Sequence, residues 1–340
     1  MNSDDGIISI VTPSYNQAIY LSETIESILS QKGDFYLDYV IVDGGSTDDS
    51  VSLIKKYEKI IQNNVNRQIK KSDLTFYQSD NEEEPFNQCL GISYRWLSEK
   101  DKGHGDALNK GFKMTVGNIM AWLNSDDKYH PGCLQSVMEI FTTMPEVHWI
   151  TGKNTWFDKK GQIVNAKMVY KNIFNFLTND YKWIQQESTF WKRSLWENAG
   201  GYINLKYEFM VDGELWGRFF IYENLYHVDK MLGGYRIHDN NRAQLYMDKV
   251  INEMEEVTRS LRQHYNFPTE LSHIVLELNE GNIWVKKTID FFHNFQIENK
   301  ILKDEVISLK KRMNSLKNSV SWKVTRPIRW IARLFINKKN

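Results

Sequence analysis

Only two cysteines, Cys89 and Cys133, occur in 340 residues. Two thiols so far apart build neither a disulfide framework nor a thiolate metal centre, and a reducing compartment suits them. Net charge is also absent, because 43 Lys and Arg balance 43 Asp and Glu. No overall positive field therefore points to nucleic acid as a partner. No apolar run approaches the roughly 18 residues that a membrane-spanning helix needs. The start, MNSDDG, has neither the basic nor the apolar stretch of a secretory leader. A cytoplasmic chain, soluble or peripheral on a membrane, is the expectation. What remains is ordinary globular material, 41% hydrophobic and 25% charged, enough for one large domain or two modest ones.

Ile7 to Val11 is a continuous apolar run closed by Pro13, the pattern of a strand buried on both faces. Ala18, Leu21, Ile25, Ile28 and Leu29 follow at helical spacing. Tyr39 to Val42 repeats the buried strand and ends at Asp43, after which Ser46 or Thr47 would cap a helix carrying Val51, Ile54 and Ile61. Residues 62–91 are polar and interrupt the pattern, an insertion holding at most a short strand at Leu74–Tyr77. The alternation then resumes: a strand at 92–97, a helix at 107–114, a strand at 119–123 ending in Asn124-Ser125-Asp126-Asp127, and a helix marked by Leu134, Val137, Met138 and Phe141. Strands alternating with helices predict an α/β fold with a mostly parallel sheet flanked by helices. A hairpin turning at Lys160-Gly161 opens a second, aromatic-rich half.

In open parallel sheets, ligands bind beyond the carboxyl ends of the strands. Three strand ends here carry polar groups: Pro13-Ser14-Tyr15, Asp43 and Asp126-Asp127. Tyr15 would stack on a base and Asp43 would accept hydrogen bonds from a base or ribose. The adjacent carboxylates Asp126 and Asp127 would hold Mg²⁺ or Mn²⁺ against a diphosphate, since hard cations take oxygen ligands. Each has a plainer alternative. Asp43 would serve equally as a turn or cap residue, and Trp183, Trp191, Trp196 and Trp216 would serve as core as readily as a sugar-stacking groove.

The segments VTPSYNQAIYLSETIESILSQ, YVIVDGGSTDDSV and DKGHGDALNKGFKMTVGNIMAWLNSDDKYHPG, followed by QQESTFWKRSLWENAGGY and FMVDGELWGRF, resemble the ordered motifs of family 2 glycosyltransferases. The resemblance covers roughly residues 7–240. It implies a GT-A, Rossmann-like fold over 1–245, with a nucleotide-sugar half at 1–150 and an acceptor half at 151–245. By position, Pro13, Tyr15 and Asp43 match residues that hold the base and ribose, commonly uridine. Asp126 matches the metal-binding aspartate of the DXD motif, whose first position here is Asn124. Asp212 matches the catalytic base, for which the plainer reading is a surface carboxylate paired with Arg218. His238 lies where some relatives place a further metal or diphosphate contact. Within the same motifs, Ser14 and Asp106 join the donor side, Asp127 the metal, and Glu187 and Trp216 the acceptor side. The implied activity is inverting transfer of a sugar from a nucleoside-diphosphate donor, a UDP-sugar by preference, to a glycan or lipid-linked glycan of the bacterial surface. A metal-dependent nucleotidyltransferase is the rival enzyme, but Thr12 to Gln17 lacks its glycine-rich basic loop.

After a helical extension at 246–291, residues at three-four spacing from Phe292 to Val320 form a coiled-coil seam over 292–320. This predicts a homo-oligomer. In 321–340, Arg326, Arg329 and Arg333 share one helical face and Val324, Ile328 and Ile331 another. Such a basic amphipathic helix would lie on an anionic membrane, at the inner face of the cytoplasmic membrane, or else pack on the fold. A non-catalytic oligomeric scaffold would keep these features without needing Asp126 or Asp212.

Overall fold

The computed structural model describes residues 6–63, 65–79, 86, 88–177 and 183–265. The coiled coil expected at 292–320, the tail at 321–340 and most of the helical extension lie outside the described residues. The chain divides into two units, 1–261 and 262–340, and both sheets belong to the first.

That unit opens with β1 (Ile7–Ser14), α1 (Ala18–Leu29), β2 (Gly33–Asp43), α2 (Ser50–Asn63), β3 (Arg67–Lys71), β4 (Leu74–Gln78), β5 (Cys89–Ser98), α3 (His104–Met114) and β6 (Ile119–Trp122). It continues through β7 (Lys128–Tyr129), α4 (Cys133–Thr143), β8 (Trp149–Thr151), β9 (Asn154–Phe157), β10 (Ile163–Lys167) and α5 (Ile173–Leu177). A 3-10 turn at Gln186–Ser188 leads into β11 (Thr189–Lys192), α6 (Arg193–Asn198), α7 (Val211–Tyr222), β12 (Tyr226–His227) and β13 (Gly233–Arg236). Last come α8 (Arg242–Leu245) and α9 (Met247–His264).

Among the described residues the main sheet runs β12-β8-β11-β6-β1-β2-β5-β4-β3. Its centre, β6-β1-β2-β5, is parallel, as the alternation predicts. The flanks are not: β11 runs antiparallel to β6 and β8, and β4 runs antiparallel to β5 and β3. The sheet is thus mixed rather than mostly parallel: one flank is the β3–β4 hairpin, which needs no crossover helix, and on the other the antiparallel β11 carries β8, with β12 parallel to β8 at the edge. The first flank is the 62–91 insertion, whose β3–β4 hairpin extends the sheet edge and buries Phe76. A second sheet, β10-β9-β13-β7, includes the hairpin whose turn carries Gly161 at φ 75°.

All eight residues of β1 are buried, and its polar interruption Ser9 donates to Asp38 Oδ2 at 2.7 Å. The α2 cap differs from expectation. Asp48 rather than Ser46 or Thr47 accepts the Ser50 N–H at 3.0 Å, and its other oxygen takes the Ala18 N–H at 3.0 Å. One carboxylate therefore caps α1 and α2 together, which fixes the loops after β1 and β2 against each other.

Helix α3 crosses this sheet so closely that a Cβ on Gly111 would stand 2.4 Å from Val11 Cγ1. Valine is stiff and fully buried here, so the backbone would have to move. Gly111→Ala should therefore lower stability by about 1 to 3 kcal/mol, read as a lower denaturant midpoint. An unchanged midpoint would show that the helix can lift without cost.

Candidate active site

The parallel strands β1, β2, β5 and β6 all deliver their carboxyl ends to one crevice of about 680 Å³, the place where open α/β sheets bind ligands. Pro13, Ser14 and Tyr15 come from β1, Gly44 from β2, Lys100 and Asp101 from beyond β5, and Trp122 to Asp127 from β6. The later half closes it with Gln186, Glu187, Asp212 and Tyr235. Tyr15 is 61% exposed at the lip, with its ring available to stack.

Nine residues singled out in the sequence meet at or beside this crevice, and three lie elsewhere. Ser14, Asn124, Asp126, Asp127, Glu187 and Asp212 line it along with Pro13 and Tyr15. His238 stands directly behind Asp126, its Nε2 3.0 Å from Asp126 Oδ2 and its ring stacked on Tyr20. Asp43 is fully buried and faces its own loop, accepting the N–H groups of Gly45 and Ser46 at 3.1 and 2.9 Å and the Ser98 hydroxyl at 2.8 Å. In this structure it shapes the wall rather than lining it. Asp106 faces Lys110 at 3.4 Å and accepts the Lys102 N–H at 3.1 Å, off the crevice. Trp216 is also off the wall, at 1% exposure. Its ring stacks between Trp122 and Trp149, with centroids 5.7 and 5.6 Å away, and meets Trp191 as well. An inward position on a mostly buried helix makes it core, and the aromatic that floors the crevice is Trp122.

Arg236, which no expected site role marks, organises the acidic turn. With no exposed surface, it donates from its backbone N to Asp127 Oδ1 at 2.7 Å, from Nε to the Asp126 carbonyl at 2.6 Å, and from Nη2 to Glu23 Oε2 at 2.9 Å. Asp127 also accepts from Asn124 Nδ2 at 3.2 Å. Burial, then the neighbouring charges of Glu187 and Asp126, push the Asp127 carboxyl well above its ordinary range, and burial likewise raises Glu187. Each Asp127 oxygen thus already accepts a hydrogen bond from the protein, which leaves Asp126 the freer of the two carboxylates to meet a cation.

The donor set that remains is small. Asn124 Oδ1 is buried with no partner, Asp126 presents a carboxylate, and His238 adds a ring nitrogen. No group of three or more His, Cys, Asp or Glu side chains suited to a metal occurs among the described residues. That sparse set fits a cation of the Mg²⁺ or Mn²⁺ kind, which typically takes one or two carboxylates and completes its shell with water and substrate phosphates. Ser14 Oγ, Trp122 Nε1 and Gln186 Oε1 are likewise buried without partners on the same wall, and unmatched buried polar atoms call for an explanation such as a ligand. Nearby His104 is held neutral, its pKa pushed down to about 4 by burial and then by the Arg242 charge.

Asp212 stands at the start of α7. One oxygen accepts the Gly213 N–H at 2.7 Å, and among the described residues no hydrogen-bond donor meets the other. The ion pair with Arg218 does not form, because Arg218 binds Glu214 at 2.8 Å instead. Burial raises the Asp212 pKa from 3.8 to about 6 despite the opposing Gly213 hydrogen bond.

The family described as Glycosyl transferase family 2 matches residues 9–72 and 77–210. An uncharacterized glycosyltransferase of Nostoc sp. is 31% identical over 136 residues, 40% of this chain and 33% of its own length. The putative teichuronic acid biosynthesis glycosyltransferase TuaG of Bacillus subtilis is 27% identical over 133 residues, 39% of this chain and 41% of its own. The matches to these two relatives thus span well under two thirds of their lengths. Among solved structures, S. aureus TarS 1–349 in complex with UDP-GlcNAc aligns with a TM-score of 0.49 at 16% identity, covering 84% of this chain and 80% of that one.

The raised Asp212 pKa has a consequence for stability. A fold that favours the protonated form loses stability as pH climbs from the unfolded value near 3.8 through the folded value near 6. Asp212→Asn removes that penalty, so it should stabilise the protein by about 1 to 3 kcal/mol above pH 7 and by little near pH 4. Thermal melts of both proteins at pH 5 and pH 8 test this. A gain that fails to grow with pH contradicts the assignment.

Proposed function

The chain belongs to glycosyltransferase family 2, and from that premise we infer that it transfers a sugar from a nucleoside-diphosphate sugar, a UDP-sugar by preference, to a hydroxyl of a glycan or lipid-linked glycan with inversion. The reading is carried by one observation: Asp126 and Asp212 line the same crevice, the latter with one oxygen anchored and one available. Surface-polysaccharide biosynthesis is the proposed setting, supported by the printed name of the Bacillus subtilis relative.

Tyr15 would stack on the base, and Ser14 would bind the nucleotide beside it. The free oxygen of Asp212 takes the proton of the acceptor hydroxyl. The acceptor oxygen then attacks the anomeric carbon from the face opposite the diphosphate, the C–O bond to the phosphate breaks, and its electrons leave with the nucleoside diphosphate. Attack from the opposite face inverts the centre. Glu187, close enough to sense the Asp212 charge, would orient a sugar or acceptor hydroxyl. Asp126, with His238 and the Asn124 amide oxygen, would hold a divalent cation, which when bound neutralises charge on the departing diphosphate. The reading requires some such counter-charge, because a crevice lined by Asp101, Asp126, Glu187 and Asp212 otherwise repels an anionic donor.

A donor-hydrolysis screen with nucleotide sugars and Mn²⁺ should give turnover with one donor. Asp126→Ala should abolish metal-dependent nucleotide binding, whereas Asp212→Asn should keep donor affinity and lose about two to four orders of magnitude in turnover. The wild-type rate should fall about tenfold per pH unit below pH 6, as the base protonates. Near-normal turnover by either variant contradicts the corresponding role.

Among the described residues no helix is long and apolar enough to cross a membrane. The proposed membrane contact is the basic segment 321–340, with self-association through 292–320. Deleting 321–340 should release the protein from anionic liposomes while activity on a soluble acceptor persists, and binding by the full chain should weaken as salt rises. Equal partitioning of the two proteins contradicts the anchor.

A further inference from the structure

Residues 208–210 connect the crevice to the start of α7. Glu208 and Phe209 line the crevice, and Val211 and Asp212 follow at once. Backbone N–H groups at and before a helix start have no acceptor within the helix, and Met210, which precedes α7, supplies no side-chain cap. All three N–H groups in this loop instead donate to one carboxylate on another helix. Glu253 Oε1 accepts from Glu208 at 3.0 Å, while Oε2 accepts from Phe209 at 2.8 Å and Met210 at 2.9 Å. Bonds to an ionised acceptor are stronger than neutral ones, and a carboxylate at a helix N-terminus also meets the positive end of its dipole.

Glu253 is itself held close. It lies on α9, which packs directly on α7: a Cβ on Gly213 would meet Met254 Sδ at 3.9 Å, and one on Gly217 would meet Val257 Cγ1 at 3.7 Å. Met254 and Val257 are buried in that contact. Three further links tie the same loop to α8 and α9. Lys206 pairs with Glu256, Glu208 pairs with Arg242, and the Phe209 ring meets Tyr246 at 5.6 Å.

We propose that Glu253 is a positioning residue, which by fixing the backbone of 208–210 sets the direction in which α7 presents Asp212 to the acceptor hydroxyl. The proposal rests on the reading of Asp212 as the base. It gives α9, the last of the described helices, a part in the chemistry, although none of its residues lines the crevice. The donor side, built on β1 and β6, is not anchored by Glu253, so its role separates the two halves of the reaction.

Glu253→Gln is the direct test. An amide of the same shape has one acceptor oxygen, so at least one of the three N–H groups faces another donor. Acceptor-dependent kcat should fall about 10- to 100-fold, the scale set by misplacing a reacting group by an ångström or less, while the donor KM stays within about twofold. Glu253→Asp, which keeps two acceptor oxygens, should recover part of that loss, and Glu255→Gln on the exposed side of α9 should have no effect. Amide hydrogen exchange supplies a readout independent of activity: protection at residues 208–214 should drop in Glu253→Gln at temperatures where the variant remains folded. Unchanged exchange, a donor KM that worsens in step with kcat, or a Glu253→Asp variant poorer than Glu253→Gln would each overturn the proposal. If the wild-type protein transfers no sugar, the base reading fails, yet exchange still decides whether Glu253 holds the loop.

Discussion

Like charges crowded into one crevice are the constraint on which the rest of the structure depends. Asp126, Asp127, Glu187 and Asp212 all line a single space, and each carboxylate brought out of water raises the cost of ionising the next. The fold answers with different devices at different carboxyls. Asp127 is tied to the backbone of Arg236, and burial shifts both its carboxyl and that of Glu187 toward the protonated form. Asp126 faces His238, whose Nε2 lies 3.0 Å from Oδ2. Asp212 is set apart at the start of a helix, with an N–H on one oxygen.

Arg236 shows how the two halves of the chain become one site. It sits at the end of β13, in the smaller sheet, and reaches across to the Asp126 carbonyl and to Glu23 on α1. A buried guanidinium needs all its donors met, and losing one partner leaves an uncompensated charge. Its contacts therefore join the acidic turn after β6 to both sheets. Beside it β13 approaches the 3-10 turn so tightly that a Cβ on Gly233 would stand 2.0 Å from the Glu187 carbonyl oxygen, and the Ser188 hydroxyl donates to the Gly233 carbonyl at 2.6 Å.

The parallel core, the strand ends and most of the crevice were legible in the sequence because each rests on local pattern. A buried run such as Ile7–Val11, a helix face such as Leu21-Ile25-Ile28, and paired acids after β6 all announce themselves within a few residues. What was not legible depends on partners distant in the chain. Trp216 reads as a groove residue beside the base, but its contacts are Trp122, Trp149 and Trp191, from three different strands. Asp43 reads as a ligand group at a strand end, yet Ser98 on β5 and its own loop occupy it. Arg236 and Glu253 carry no motif at all. Their importance lies in backbone atoms that they meet across more than forty residues of sequence.

The position of Asp212 at a helix start is itself a balance. The N-terminus of α7 and the Gly213 N–H favour the ionised form and would by themselves leave a weak base. Burial favours the protonated form and, acting alone, would leave the carboxyl without a free charge to use. Burial prevails only in part, giving a pKa of about 6. A carboxylate so placed is ionised at neutral pH and is a stronger base than an exposed aspartate, which is the condition a proton-abstracting group must meet. The aromatic stack beneath α7 keeps that balance fixed. Trp216, one turn beyond Asp212, is clamped among three other tryptophans, so the helix cannot rotate the carboxylate into bulk water without opening the core.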